Sequence, residues 1–178
     1  MCRKVEVVPH SPDWPQQFRQ EAERLAAVLK KEIVTIHHFG STAIPDIPAK
    51  PTIDILVEVR DIGRIDDYNE AMIQMGYEPK GEYGITGRRF FRKEIEGQRT
   101  HHVHIYQVGN PEIERHLNFR DYMRVHPTEA AEYGLLKKQL AQRFPEDMES
   151  YVAGKTDFVR KTERKARLWR DGQAAEWQ

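Results

Sequence analysis

The stretch His37-His38-Phe39-Gly40-Ser41-Thr42-Ala43-Ile44-Pro45-Asp46-Ile47-Pro48-Ala49-Lys50-Pro51-Thr52-Ile53-Asp54-Ile55-Leu56-Val57-Glu58-Val59 decides how the whole chain is read. Ile33 to Phe39 is rich in β-branched and aromatic residues, and Gly40-Ser41 breaks the run, so a strand ends in a turn there. Pro45, Pro48 and Pro51 punctuate the loop that follows. From Ile53 to Val59 apolar residues alternate with Asp54, Leu56 and Glu58, the period of a second strand. On it Asp54 and Glu58 share one face while Ile55 and Val57 point the other way. A charge among apolar neighbours is costly unless it is solvated, paired or metal-bound. Asp54 is therefore the first candidate functional residue.

A Gly-Ser pair at the end of one strand, with a carboxylate on the next, resembles the way the nucleotidyltransferase superfamily builds its site. Backbone N–H groups beside Gly40 and Ser41 can cradle a phosphate, and the Ser41 hydroxyl can donate to it. Strand carboxylates suit a hard ion such as Mg²⁺. The wording is closer still. His38-Phe39-Gly40-Ser41-Thr42-Ala43-Ile44-Pro45, followed by Ala49-Lys50-Pro51-Thr52-Ile53-Asp54-Ile55, is similar to the GrpB-like family. The resemblance continues through Gly87-Arg88-Arg89-Phe90-Phe91, Thr100-His101-His102-Val103-His104 and Leu117-Asn118-Phe119-Arg120-Asp121-Tyr122, in that order. It implies a nucleotidyltransferase-like fold. Two positions depart from the pattern. The superfamily places a second acidic residue two positions after the first, where this chain has Leu56, and Glu58 lies about 13 Å along the strand from Asp54. The family commonly has Gly-Leu where this chain has Asp46-Ile47, and aspartate tolerates turn geometry.

A length of 178 residues points to a single domain spanning 1–178, large enough for a true core. Lys+Arg and Asp+Glu both number 28, so the charge balance gives no argument for a nucleic acid partner. The single cysteine, Cys2, excludes a disulfide framework and a thiolate zinc site. No apolar run reaches membrane-spanning length and no secretory signal precedes the first strand, so the expected compartment is the cytoplasm and no membrane partner is expected.

In chain order, Val5 to Val8 reads as extended, and Ser11 or Asp13 caps a helix with Trp14, Phe18, Leu25, Val28 and Leu29 along one stripe. Ile62, Ile65, Tyr68, Met72 and Met75 mark a second helix closed by Gly76. Tyr77 to Val108 reads as antiparallel strands turning at Gly81 and Gly84 and at Glu96-Gly97. Asn110-Pro111 opens a helix that ends at His126-Pro127. A further helix carries Ala131, Leu135, Leu136, Leu140 and Phe144 toward the core. The last one uses Met148, Tyr151, Val152, Phe158, Val159, Ala166 and Trp169. The fold class is α/β, an α+β mixed sheet of about five strands backed by about five helices.

Five further features bear on chemistry. Arg88, Arg89 and Arg92 flank Phe90 and Phe91, and an arginine there either clamps phosphate oxygens bidentately or is solvated edge-strand charge. The glycines around Gly84-Ile85-Thr86-Gly87 suit a mobile flap. His102 and His104 share a strand face, with His101 on the other. Beside the Asp54 strand they make a mixed metal site of Asp54, His102 and His104, with His38 as a further candidate, or else a hydrogen-bonded pair without metal. Lys155 either reaches a phosphate or snorkels. From Lys155 to Arg170 seven basic residues face two acidic ones, a surface that meets water or a polyanion.

The expected function is binding of a nucleotide or phosphorylated small molecule in the Gly40–Asp54 cleft. Catalysis would be metal-dependent nucleotidyl transfer, with Gly40 and Ser41 on phosphate and Asp54 with His104 on a divalent ion (Mg²⁺, Mn²⁺ or Zn²⁺). Lys50 or Arg88 would neutralise developing charge. The alternative is a non-catalytic binding module. The resemblance also implies a link to coenzyme A metabolism, because members of the family occur joined to a dephospho-coenzyme A kinase.

Overall fold

The structure, a computed structural model, describes residues 4–176; Cys2 lies outside them. Its contacts gather into two compact units, one of residues 11–43 and 52–114, the other of residues 4–10, 44–51 and 115–176 within the described range.

The first unit is built on a five-stranded mixed sheet. Its strands are β1 (Ile33–Phe39), β2 (Ile53–Val59), β3 (Tyr77–Pro79), β4 (Arg88–Ile95) and β5 (Gln98–Gln107). Their order is β1-β2-β5-β4-β3, and every neighbouring pair is antiparallel except β2 and β5. The two strands read from the opening stretch fall where the alternation places them. β4 and β5 are joined through Glu96 and Gly97, both at positive φ, as a two-residue hairpin turn requires.

Strand parity gives the sheet two unlike faces. Ile55, Val57, Val103 and Ile105 are fully buried on one of them. Each such side chain contributes roughly 1.5–3 kcal/mol when removed from water. Helix α1 (Trp14–Leu29) covers that face: Phe18 stacks on His38 at 4.8 Å, and Glu21 reaches Lys93 and Tyr77. Pro15 stands in its first turn, where a missing N–H costs nothing. The opposite face carries His37, Asp54, Glu58, His102 and His104. Beyond β2 the helix expected from Ile62 is a 3₁₀ segment over Ile62–Tyr68, and only α2 (Asn69–Gln74) is α-helical. Gly63, Asp66 and Asp67 are weak helix formers, and the Asp61 carboxylate draws the Gly63 N–H into a tight local turn.

The second unit is helical. It holds most of α3 (Pro111–Val125), then α4 (Pro127–Arg143) and α5 (Met148–Glu176). Asn110 caps α3 by accepting the Glu112 N–H. One core cluster joins Ile44, Ile47, Met123, Ala130 and Tyr133, and a second joins Val5, Leu140 and Tyr151. Of the stretch read as extended at Val5 to Val8, Val8 forms an antiparallel bridge to Ala49. The face α4 buries differs from the expected one: Ala130, Tyr133, Gly134, Lys137 and Leu140 lie inside, whereas Ala131 and Leu135 are exposed. Gly134 turns the helix that way, because its backbone lies against the Pro48 ring, closer than a β-carbon allows. Asp121 receives Arg120 at 2.8 Å and Arg170 at 2.6 Å, closing a polar network on α3 and α5. Among the described residues no helix is long and apolar enough to cross a membrane.

Candidate metal and phosphate site

The register of β1 on β2 pairs Phe39 with Asp54, so the chain enters its turn beside that carboxylate. Gly40 takes φ +71°, a conformation that favours glycine. A β-carbon there would lie 2.5 Å from Asp54 Oδ2. Ser41 begins the 3₁₀ turn Ser41–Ala43 that follows directly. The Gly-Ser corner and the strand carboxylate are thus neighbours.

β2 and β5 run parallel, with Asp54 opposite His102 and Leu56 opposite His104. Asp54 Oδ1 lies 3.3 Å from His102 Nδ1 and 3.9 Å from His104 Nε2. One ligand atom from each of the three residues falls within 4.8 Å of the others. Those three side chains would hold a divalent ion, were one bound. Two imidazoles and one carboxylate form a donor set suited to a transition metal, and less to Mg²⁺. Phe90 packs against both rings at 5.4 and 5.0 Å, and Phe39 meets His104 edge-on at 5.1 Å. Glu58, on the same face, has a partner of its own in His37 at 2.6 Å.

Other candidates lie elsewhere. His38 sits on the face that α1 covers and bonds the Thr42 hydroxyl at 2.9 Å, because its register partner is Ile55 rather than Asp54. Arg88 is neither solvated nor splayed: it is buried and donates to the backbone oxygens of Glu82 and Tyr83 and to His104 Nδ1. It thereby pins the glycine-punctuated loop to the histidine pair. Arg89 and Arg92 form surface pairs with Asp66 and Glu78. Lys50 and Lys155 belong to the helical unit, where both ammonium groups lie over the Tyr151 ring, at 5.5 and 5.0 Å.

Arg99 escaped the sequence reading. Its guanidinium meets His102 Nε2 at 3.4 Å. Simple alternation assigns Arg99 to the face of His101. The β4–β5 register, however, pairs Lys93 with His101 and Glu94 with Arg99, leaving Thr100 as an extra residue. That bulge switches parity and turns Arg99 to the histidine face. Tyr83 was missed as well; its ring stacks on Phe90 at 5.3 Å.

The five-stranded mixed sheet backed by helices is a nucleotidyltransferase-like fold. In agreement, the chain is similar to the structure of Cid1 in complex with the UTP analogue UMPNPP, with a TM-score of 0.52 at 17% identity over 77% of this chain and 43% of that one. The family model described as GrpB protein matches residues 4–165, and the chain belongs to that family. It is similar to the crystal structure of conserved protein GrpB from Enterococcus faecalis, at 44% identity and a TM-score of 0.89, covering 92% of this chain and 99% of that one. UPF0157 protein YqkA of Bacillus subtilis is 50% identical over 96% of this chain, which spans only 49% of that protein's length. Glutamate-rich protein GrpB of Alkalihalophilus pseudofirmus is 36% identical over 88% of this chain and 92% of its own. A dephospho-CoA kinase of Mycolicibacterium paratuberculosis is 28% identical over 94% of this chain and 47% of that protein.

Proposed function

We propose that this chain binds a nucleotide or a phosphorylated metabolite with phosphate at the Gly40–Ser41 corner and a divalent ion at Asp54, His102 and His104. Where an acceptor is supplied, it transfers the nucleotidyl group. One observation carries this reading: the turn at Gly40 packs so closely on Asp54 that a β-carbon there would lie 2.5 Å from its Oδ2, which supports a phosphate and an ion held side by side. The backbone N–H groups of the turn bind and orient the phosphate. Asp54 and the two imidazoles hold the ion, which supplies Lewis-acid polarisation of a phosphoryl oxygen. In the helical unit, Lys50 is put forward as a cation that neutralises developing charge and Lys155 as a phosphate-binding cation. The likeness to Cid1, whose structure carries a UTP analogue, supports a nucleotide, and the dephospho-CoA kinase relative extends the ligand set to coenzyme A precursors.

The test is a thermal-shift screen of nucleotides and coenzyme A precursors, each with Mg²⁺, Mn²⁺ or Zn²⁺. A ligand that binds the native state alone raises the melting point by mass action. A hit lost in Asp54→Asn, together with released pyrophosphate, supports transfer. No shift with any pair overturns the reading. A non-catalytic binding module is the second reading, and Leu56 favours it: the position that would carry a second carboxylate is apolar and fully buried. Binding without pyrophosphate release would decide for the module.

A further inference from the structure

Each histidine of the cluster has two ring nitrogens, and the structure sets a different group on each. His102 turns Nδ1 to Asp54 Oδ1 at 3.3 Å and Nε2 to Arg99 Nη1 at 3.4 Å. His104 turns Nε2 to the same oxygen at 3.9 Å and Nδ1 to Arg88 Nη1 at 3.3 Å. From both sides the order is arginine, histidine, aspartate, with the His104 arm the longer at the carboxylate. A guanidinium has five N–H donors and no acceptor. It holds the outer nitrogen of each ring as an acceptor, and in a neutral ring this leaves the proton on the inner nitrogen, aimed at Asp54. An imidazole on a metal needs the reverse. Its inner lone pair faces the ion, and its outer N–H is donated to a carboxylate, a carbonyl or water.

Neighbouring groups hold both arginines against the rings in the ligand-free chain. Arg88 is 6% exposed, and it also donates from Nε to the Glu82 carbonyl and from Nη2 to the Tyr83 carbonyl. Arg99 reaches the face only through the bulge at Thr100. It is tied to Glu94 at 3.3 Å, and its Nε is buried with no acceptor among the described residues. A bulge that re-aims one side chain beside a candidate site is a specific device, and a buried guanidinium N–H without an acceptor is a place for an anionic oxygen.

We propose that Arg88 and Arg99 are positioning residues that lock His104 and His102 with their inner N–H toward Asp54, keeping the cluster a weak site for a divalent ion until an anionic ligand draws the guanidinium groups away. The proposal rests on the metal reading above and gives it an order: phosphate and ion strengthen each other's binding, because coupling between two sites is reciprocal.

The test reads tautomer and affinity, not turnover. Nitrogen-resolved NMR of the ion-free protein at mildly alkaline pH is expected to show His104 protonated on Nε2 and His102 on Nδ1. Titration calorimetry with Zn²⁺ or Mn²⁺ alone then compares the parent with Arg88→Gln and Arg99→Gln, whose amide oxygen can accept the outer N–H. Each variant is expected to bind the ion about 10- to 100-fold more tightly, the usual weight of an outer-shell partner. Arg99→Gln leaves the loop contacts of Arg88 intact, so it serves if Arg88→Gln fails to fold. Opposite tautomers in the parent, or variants that bind no more tightly, overturn the proposal. No uptake of either ion by any of the three proteins overturns it together with the metal reading. Tighter uptake in the variants with no nucleotide binding in the screen sustains the proposal while the nucleotide reading falls.

Discussion

A β-carbon on Gly40 would stand 2.5 Å from Asp54 Oδ2 and 3.0 Å from the Asp54 Cβ. The turn is therefore built against the carboxylate, and Gly40→Ala meets two penalties. One is the positive φ of +71°, worth about 1–2 kcal/mol for a residue with a side chain. The other is displacement of Asp54 or of the turn. Denaturant unfolding is expected to show a loss of about 2–4 kcal/mol, at the upper end of ordinary substitutions. Ser41→Ala incurs neither penalty. Its stability is expected to stay within about 0.5 kcal/mol of the parent, while the thermal shift produced by a phosphate-bearing ligand shrinks.

The carboxylate nearest both imidazoles is Asp54, whereas Glu58 on the same face is engaged by His37 at 2.6 Å. Asp54→Asn keeps the shape and removes the charge. Calorimetric uptake of Zn²⁺ or Mn²⁺ is expected to fall at least tenfold, an effect of about 1.4 kcal/mol or more. Glu58→Gln is expected to leave uptake within a factor of two or so, since a neighbour that neither ligates nor braces the cluster changes little. Equal losses in both variants would mean that general negative charge, not ligation, attracts the ion.

The opening strands were legible because their apolar period is unambiguous: Ile53, Ile55, Val57 and Val59 are all buried, with Asp54 on the other face. That His102 and His104 share a face was legible in the same way, whereas the parallel pairing that sets His102 opposite Asp54 lies in no local pattern. Arg99 was not, because a bulge has no signature in a period of two and reverses parity for every residue beyond it. The buried face of α4 was misread for a related reason. Leucines outrank tyrosine and lysine on any hydropathy scale, but Gly134 against Pro48 fixes the rotation of the helix and carries Tyr133 and Lys137 inward. The role of Arg88 depends on carbonyls of a loop whose path no local pattern sets.

The packing at Gly134 makes its own prediction. A β-carbon there would lie 2.7 Å from Pro48 Cδ, and a proline ring cannot rotate away. Gly134→Ala gains about 1 kcal/mol of helix propensity and is expected to lose more than that to overpacking, for a net cost of about 1–2 kcal/mol. Gly172 in α5 is the control, with nothing within 4 Å of its position. Gly172→Ala is expected to stabilise by about 0.5–1 kcal/mol. Urea unfolding of the two variants checks both signs, and a stabilised Gly134→Ala would show that the loop carrying Pro48 yields freely.

The face under α1 supplies a pH dependence. Glu21 is 2% exposed, with Lys93 Nζ at 2.6 Å and the Tyr77 hydroxyl at 2.7 Å. Burial pushes its carboxyl up, but the hydrogen bonds from Lys93 and Tyr77 and the charges of His101 and Lys93 outweigh it and hold the group below its ordinary value. A depressed value in the folded state means that the stabilisation is present above the unfolded-chain value of about 4.3 and is lost as pH falls through the folded value. Stability of the parent is therefore expected to decline on acidification below about pH 5. Lys93→Met removes the partner and leaves a carboxylate buried beside Tyr77, at a cost of about 3–5 kcal/mol near neutrality. Without Lys93 the burial that raises the Glu21 carboxyl is no longer outweighed, so that deficit is expected to shrink as pH falls and the group takes up a proton. Urea unfolding of parent and variant at pH values near 7 and 4.5 reads the two slopes. Parallel slopes would show that the Glu21–Lys93 pair is not what ties stability to pH.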